Sequence, residues 1–324
     1  MPKVIRIERF GAPEVMELRD ERAPVPGRGE VLVRHTAIGL NYLDVYHREG
    51  HYPLALPSGL GVAGAGIVEA LGEGVTGVRR GDRVAYAGIG PGSYAELRTV
   101  PEEKLVPLPE GCDDALVAAT LQQGITAYFL LHEVYPLKAG DTILFHAAAG
   151  GVGTIACQWA QRLGATVIGT AGGADKVAHA AGLGCAAVID YRHEDVAERV
   201  RAITGGTGVA AVFDSVGRDT FEGSLASLRP YGTLVSFGSS SGDPPPLDIN
   251  RLGEKGSLYL TRPRFVHYAR RREDLLRMAQ AYFAFLDDPR TQVAIGRRFA
   301  LAEAADAHRA MQRRETIGSS VLVP

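Results

Sequence analysis

From Thr142 the chain runs through five strand-forming residues, Thr142-Ile143-Leu144-Phe145-His146, into the turn Ala147-Ala148-Ala149-Gly150-Gly151 and out along Val152-Gly153-Thr154-Ile155-Ala156-Cys157-Gln158-Trp159-Ala160. An apolar strand, a turn of Ala and Gly only, and an amphipathic helix, followed by the second strand Ala165-Thr166-Val167-Ile168-Gly169-Thr170, make a βαβ unit. Small residues let the backbone approach an anion, and a helix start points unpaired N–H groups and a partial positive charge at it. Gly-rich turns of this form also occur in doubly wound domains that bind nothing, and Ala147 stands where the commonest dinucleotide fingerprint has its first Gly. The spacing Ala147-x-x-Gly150-x-x-Gly153 is nonetheless suited to a dinucleotide pyrophosphate.

The tip of the second strand refines this. A site for the unphosphorylated cofactor places Asp or Glu about 20 residues past the glycines, on the ribose 2′-hydroxyl. Here the segment reads Gly169-Thr170-Ala171-Gly172-Gly173-Ala174-Asp175-Lys176. Gly172 and Gly173 leave room for a 2′-phosphate and Lys176 can neutralise it, while Asp175 reads as part of the next helix start, so NADPH is expected over NADH.

Composition restricts the rest. The 324 residues suffice for two cores, and a hydrophobic share of 46% with net charge −2 describes an ordinary globular chain with no sign of a nucleic-acid surface. No apolar stretch approaches a membrane span, and Met1-Pro2-Lys3-Val4-Ile5-Arg6-Ile7-Glu8 is a charged alternating strand, unlike a signal peptide. Only five of the 35 basic residues are Lys, a skew that carries no chemistry. Cys112, Cys157 and Cys185 are too few and too scattered for a disulfide scaffold or zinc knuckle, and a reducing cytoplasm is the expected setting.

The chain changes rhythm near residue 122. Before it lie strand-like runs such as 31–38 and 65–71 with Gly and Pro punctuation, the pattern of a β-rich small barrel. After it, expected strands at 142–146, 166–170, 187–190, 209–214, 233–237 and 256–261 alternate with helices, implying a doubly wound parallel sheet covered on both faces. Helices at 272–286 and 301–312 and a strand at 319–323 close the chain. The division expected is therefore α/β overall, with 1–122 and 263–324 forming one domain and 123–262 the other.

This order, together with Gly140-Asp141-x-x-Leu144-x-x-x-Ala148-Ala149-Gly150-Gly151-x-Gly153-x-x-x-x-Gln158, resembles the zinc-free quinone oxidoreductases of the zeta-crystallin type, within the medium-chain dehydrogenase/reductase superfamily. Supporting segments are Phe10-Gly11-Ala12-Pro13-Glu14-Val15, Asn41-Tyr42-Leu43-Asp44-Val45-Tyr46, Asp214-Ser215-Val216-Gly217 and Gly318-Ser319-Ser320; Gln161 departs from the signature on an outer helix face. The resemblance implies a GroES-like catalytic domain, a Rossmann NADPH-binding domain and a homodimer, the short apolar run 256–261 pairing with its copy across a sheet edge. Zinc enzymes of the superfamily carry Cys where this chain has Asn41 and His-Glu where it has Val62-Ala63, so no metal is expected, and without a Lewis acid alcohol oxidation is disfavoured. His47 and His51 have helical spacing, but Gly50 and Pro53 suggest a loop and solvated histidines.

Asn41, Asp44, Tyr46 and Tyr52, in the loop that replaces the zinc ligands, are the expected catalytic residues at the cleft; each Tyr can equally be a structural aromatic. By resemblance, cofactor contacts fall to Asn41, Tyr42, Tyr46, Thr126, Gly150, Gly151, Val152, Gly153, Gly172, Gly173, Lys176, Tyr191, Val216, Phe237, Gly238, Ser240, Arg262 and Arg314. A quinone is already electrophilic and delocalises the charge it gains, so positioning against the nicotinamide supplies most of the catalysis, with hydride transfer or semiquinone release both allowed. Alternatives are NADPH-dependent reduction of α,β-unsaturated carbonyls, which needs a proton donor at carbon, and a non-catalytic NADPH- or RNA-binding role.

Overall fold

Runs of alternating polarity form the strands of the first half, and buried apolar runs form those of the second. The computed structural model describes all 324 residues. Its strands are β1 (Lys3–Ile7), β2 (Glu17–Asp20), β3 (Glu30–Gly39), β4 (Ser58–Gly59), β5 (Gly64–Leu71), β6 (Arg83–Tyr86), β7 (Leu97–Pro101), β8 (Val106–Pro107), β9 (Thr142–Phe145), β10 (Thr166–Ala171), β11 (Ala187–Asp190), β12 (Val209–Asp214), β13 (Leu228–Ser236), β14 (Tyr259–Thr261), β15 (Ile295–Ala300) and β16 (Ser319–Val323). The α-helices are α1 (Tyr42–Glu49), α2 (Asp114–Phe129), α3 (Gly151–Arg162), α4 (Ala174–Gly182), α5 (Val196–Ile203), α6 (Phe221–Ser227), α7 (Asn250–Glu254), α8 (Phe265–Tyr268), α9 (Arg272–Asp287) and α10 (Ala304–Gln312).

One unit comprises Met1–Gln122, Ala269–Phe283 and Ala294–Pro324. It contains a sheet of order β15-β16-β3-β5-β6-β8, with β7 also on β3, and a smaller sheet β2-β1-β4. β3 serves two cores because its register against β5 slips between His35 and Ala37. Val31 and Val33 face the cluster of Val68, Val84, Tyr86 and Leu105, whereas after the bulge Ile38 faces that of Ile5, Ile7, Leu60, Tyr94 and Leu322. β16, from the end of the chain, pairs with the far end of β3. The region 47–51, read from its Gly and Pro as a loop, is helical as far as Glu49; Gly50, at φ 77°, is the left-handed cap and not a reason against the helix.

The other unit, Gln123–Tyr268 with Ala284–Val293, holds the expected parallel sheet in the order β11-β10-β9-β12-β13-β14. Strand order reverses between β9 and β12, the switch point at which open α/β sheets bind ligands. β13 starts earlier than expected and slips register against β12, and β14 is shorter. Residues 284–293 fall here, not with the rest of the C-terminal segment. The cause is α3: Trp159 stacks on Phe285 with ring centroids 4.7 Å apart, and the Gln158 amide donates to Gln292 O at 3.0 Å and accepts from Gln292 N at 2.9 Å.

Gly153 fixes how closely α3 approaches the end of β9. A Cβ there would lie 2.4 Å from Ala147 O and 2.7 Å from Ala148 Cα, both backbone atoms that cannot swing away. Gly153→Ala is expected to destabilise the protein by about 1–3 kcal/mol, the usual cost of overpacking, read as a lower urea midpoint, and to weaken binding at the turn.

Candidate active site

The turn after β9 is held by a buried chain of hydrogen bonds that runs in one direction. Ser224 Oγ donates to Asp214 Oδ2 at 2.7 Å, so it accepts from His146 Nε2, 3.0 Å away. Burial pushes the His146 pKa below its ordinary value and keeps the ring neutral. Nδ1 is then the acceptor, taking Thr170 Oγ1–H at 3.1 Å, while Thr170 Oγ1 accepts from Ala147 N at 3.3 Å. Ala147 sits at φ 53°, a left-handed position for a residue with a Cβ, and this amide bond helps to hold it there. The ends of β9, β10 and β12 are thereby locked together.

The ligand-facing consequence is a helix start at Gly150 that no side chain caps. The first-turn amides of Gly151, Val152 and Gly153 sit on backbone without bulk at 150 and 151, a cradle that fits a pyrophosphate. Asp214 also accepts from the amides of Val216 at 2.8 Å and Gly217 at 3.1 Å. Phe237 N donates to Asp214 O at 2.7 Å and Ser240 N to Ser215 O at 3.2 Å. A Cβ at Gly238 would stand 2.6 Å from Ser215 O, so these two loops are in backbone contact. Arg262, expected on a phosphate, instead binds the 236–239 loop: its guanidinium donates to Gly238 O at 2.8 Å, Ser239 Oγ at 2.9 Å and Ser236 O at 3.1 Å. It supports that loop, because those bonds direct its nitrogens at protein oxygens. Thr126 lies half-buried on α2.

At the tip of β10, Gly172 is required by its neighbour. A Cβ there would come 2.4 Å from the Tyr191 hydroxyl and 2.5 Å from its Cζ. Gly173 adopts φ 93° as the residue before α4, and Arg192 Nη1 lies 3.0 Å from where its Cβ would be. The nearby acid, Asp190, is engaged by its neighbours: its carboxylate accepts from Gly173 N at 3.2 Å and Arg192 N at 3.1 Å, and pairs with His193 at 3.0 Å. A phenol and a guanidinium, with Lys176 in the first turn of α4, therefore border a glycine shelf on which the Asp190 carboxylate is already taken by backbone amides and His193, which fits a 2′-phosphate. Arg192 escaped the sequence reading because its position follows only from the fold of the β11 exit.

In the first unit α1 carries the remaining candidates. Tyr46 makes edge contacts with Tyr42 and Tyr52 at 5.2 and 5.5 Å between ring centroids, and His51 joins them at 5.3 Å. Arg314, at φ 57° beyond α10, acts electrostatically on the Tyr42 hydroxyl. Asn41, 6% exposed, precedes the helix, and its amide donates to Asp44 Oδ2 at 2.9 Å. Asp44, expected among the catalytic residues, has no exposed surface. It is a positioning residue, since a fully covered carboxyl cannot touch a substrate.

Asp44 terminates a second one-way chain. Arg48 Nη1 donates to His308 Nδ1 at 2.9 Å, so Nε2 carries the proton and donates to the Tyr94 oxygen at 2.9 Å, and Tyr94 O–H donates to Asp44 Oδ2 at 3.0 Å. Burial and the Arg48 cation press His308 down to about 3, and burial raises Asp44 to about 7 despite the bonds from Asn41 and Tyr94. Asp44 Oδ1 has no hydrogen-bond partner, which is consistent with a carboxyl that takes up a proton.

A carboxyl whose folded pKa is raised binds its proton more tightly in the native state, so its contribution to stability is lost as pH rises from about 4 to about 7. Asp44→Asn is expected to lose less stability than the unsubstituted protein between pH 5 and 8, with slopes differing by up to ~1.4 kcal/mol per pH unit. Urea titrations at several pH values check this; parallel curves contradict the raised Asp44 pKa.

No group of three or more His, Cys, Asp or Glu is placed to hold a metal ion. Residues 27–110 match the alcohol dehydrogenase GroES-like domain and residues 151–280 the zinc-binding dehydrogenase family. Over its whole length the chain is 50% identical to a quinone oxidoreductase of Pseudomonas aeruginosa, with 100% of both chains covered. It is 41% identical to a 2-haloacrylate reductase of a Burkholderia species, covering 98% of each. The crystal structure of Escherichia coli quinone oxidoreductase complexed with NADPH superposes with a TM-score of 0.97 at 42% identity, covering 99% of this chain and 100% of that one. The chain belongs to the quinone oxidoreductase family of the medium-chain dehydrogenase/reductase superfamily.

Proposed function

We propose that this protein reduces quinones with NADPH, and the observation that carries the reading is the shelf at Gly172 and Gly173, bordered by Lys176, Tyr191 and Arg192 while the Asp190 carboxylate is taken by backbone amides. Two cations and a phenol, with Asp190 already bonded to backbone amides, favour a 2′-phosphate over a 2′-hydroxyl. Gly150, Gly151, Val152 and Gly153 take the pyrophosphate, and Thr126, Val216, Phe237, Gly238 and Ser240 the nicotinamide half. When bound, NADPH supplies the hydride.

The chain's own residues orient and exclude water. Asn41, Tyr42, Tyr46 and Tyr52 offer amide and phenol hydrogen-bond donors and aromatic faces suited to a flat ring. Asp44 holds the Asn41 amide, and through it the start of the helix that carries Tyr42 and Tyr46. Because a quinone spreads the charge it receives over its ring and oxygens, hydrogen-bond donation at oxygen is sufficient and protonation at carbon is not needed. The likeness to a 2-haloacrylate reductase supports a second reading, reduction of activated alkenes, for which one of the tyrosines must deliver a proton to carbon.

The exposed edge strand β14, with Tyr259 62% and Leu260 39% exposed, supports a homodimer formed by strand pairing. No helix is long and apolar enough to cross a membrane, and three free cysteines fit a reducing cytoplasm.

Turnover of 1,4-benzoquinone, 9,10-phenanthrenequinone, a 2-haloacrylate and an alkenal with NADPH separates the two readings. Quinones are expected to give the higher kcat/KM, and preference for the alkenes overturns the assignment. Lys176→Ala and Arg192→Ala are each expected to weaken NADPH by up to about 1–3 kcal/mol, less where the pair is solvent-screened, and to leave NADH nearly unchanged. Equal losses for both cofactors contradict the 2′-phosphate shelf.

A further inference from the structure

Where β1 meets the segments 21–24 and 91–99, the first unit holds an open-sided cavity of about 300 Å³, within the size of small-ligand sites. Its walls are tied by backbone: Ile5 N donates to Tyr94 O at 2.8 Å, Glu21 N to Pro2 O at 3.0 Å and Glu96 N to Lys3 O at 2.9 Å. Buried Val4 and Ala95 supply apolar surface. Four cations line it, Lys3, Arg6, Arg22 and Arg98, against a single carboxylate, Glu21.

Each of the three arginines keeps a donor that the protein does not use. Glu21 takes Nε of Arg6 at 2.7 Å and Nη2 at 2.6 Å, leaving Nη1. Arg98 lies over the Tyr86 ring, 5.3 Å from its centroid; Nη1 donates to Ser93 Oγ at 2.5 Å and Nη2 to Gly90 O and Pro91 O, leaving Nε. Arg22 is exposed and makes no hydrogen bond or ion pair. Arg6 Nη1 lies 3.1 Å from where a Gly59 Cβ would stand, with Gly92 Cα 3.0 Å from the same point, and Arg98 Nε lies 3.5 Å from where a Gly92 Cβ would stand. The path from one guanidinium to the other therefore crosses two glycines, whose missing side chains leave the space open. The remaining carboxylates nearby are held at Lys3: Glu96 accepts from its amide at 3.0 Å and Asp20 pairs with its Nζ at 3.9 Å.

We propose that this cavity is a binding site for a small phosphomonoester, apart from the residues that meet the cofactor. A phosphomonoester brings close to two negative charges and three acceptor oxygens, which answers the excess of cations and the three unused guanidinium edges. A carboxylate has one charge and two oxygens, and leaves one of the arginines unmatched. Arg6 and Arg98 are already fixed by their bonds to Glu21, Ser93 and the 90–91 carbonyls, so little side-chain freedom is lost on binding. Val4, Ala95 and the half-buried Leu97 offer apolar contact to the organic part of the ester.

The test is isothermal titration of the full chain with glycerol phosphate, inorganic phosphate and acetate, with NADPH saturating so that the site of its own 2′-phosphate is filled. Glycerol phosphate is expected to bind at one site, at least as tightly as inorganic phosphate and ~10-fold or more tighter than acetate. Arg22→Glu, an exposed substitution that removes no contact, is expected to weaken the ester by ~10-fold, the order of one charge-assisted hydrogen bond, and Arg6→Gln to weaken it as well. Arg80→Glu makes the same change of charge on an exposed side chain outside the cavity and is expected to leave the affinity unchanged. No binding with NADPH saturating, acetate binding as tightly as the ester, inorganic phosphate binding without the ester, or equal losses for Arg22→Glu and Arg80→Glu overturns the proposal.

Discussion

The carboxylate of Asp214 is the fixed point of the nucleotide unit. It takes two backbone amides, at Val216 and Gly217, and the hydroxyls of Thr220 and Ser224. Through Ser224, His146 and Thr170 it determines where the amide of Ala147 points. The neutral imidazole has only one tautomer that satisfies both of its neighbours, which fixes the direction of the chain. A turn made of Ala and Gly has no side chain with which to stiffen itself. Its rigidity comes from polar groups on the ends of three adjacent strands, which is also why it can stay free of bulk toward a ligand.

The first unit repeats the device with different residues. There the permanent donor Arg48 sets the direction, and the neutral His308 and Tyr94 pass it to Asp44, which holds the amide of Asn41. The side chain of Arg48 has no exposed surface, but its remaining nitrogens donate to Gly11 O, Gln312 and Glu49, so every nitrogen of the buried cation has a partner. In both units a buried aspartate fixes a backbone amide beside residues proposed to bind. The polar interior thus specifies loop geometry, while the apolar clusters supply the bulk of the burial.

The parallel sheet and the glycine turn were legible because each rests on local pattern: short, mostly buried apolar strands and small residues at fixed spacing. What escaped was set by partners far apart in the chain. His146 and Ser224 are 78 residues apart and Arg48 and His308 260 apart, so no window of sequence contains either pair. Asp44 read as catalytic from its neighbourhood in the chain, whereas its burial against Tyr94 makes it a support. Arg262 reads as a cofactor contact from its place after the last strand of the sheet, and the carbonyl and hydroxyl oxygens that occupy it belong to Ser236, Gly238 and Ser239. The helical form of 42–49 is hidden in the sequence because Gly50 reads as a break, whereas in the fold it is the cap.

The amide clasp between Gln158 and Gln292, with Phe285 stacked on Trp159, affects how the molecule is made. Residues 284–293 complete a layer whose other members all precede residue 269, so the nucleotide unit stays short of its final contacts during synthesis until nearly the whole polypeptide has left the ribosome. Until then the flat face of Trp159 and the Gln158 amide have no Phe285 or Gln292 to meet, and a nascent chain stalled before this point presents an unfinished helix to chaperones or proteases. A recombinant fragment ending at 268 inherits the same defect permanently.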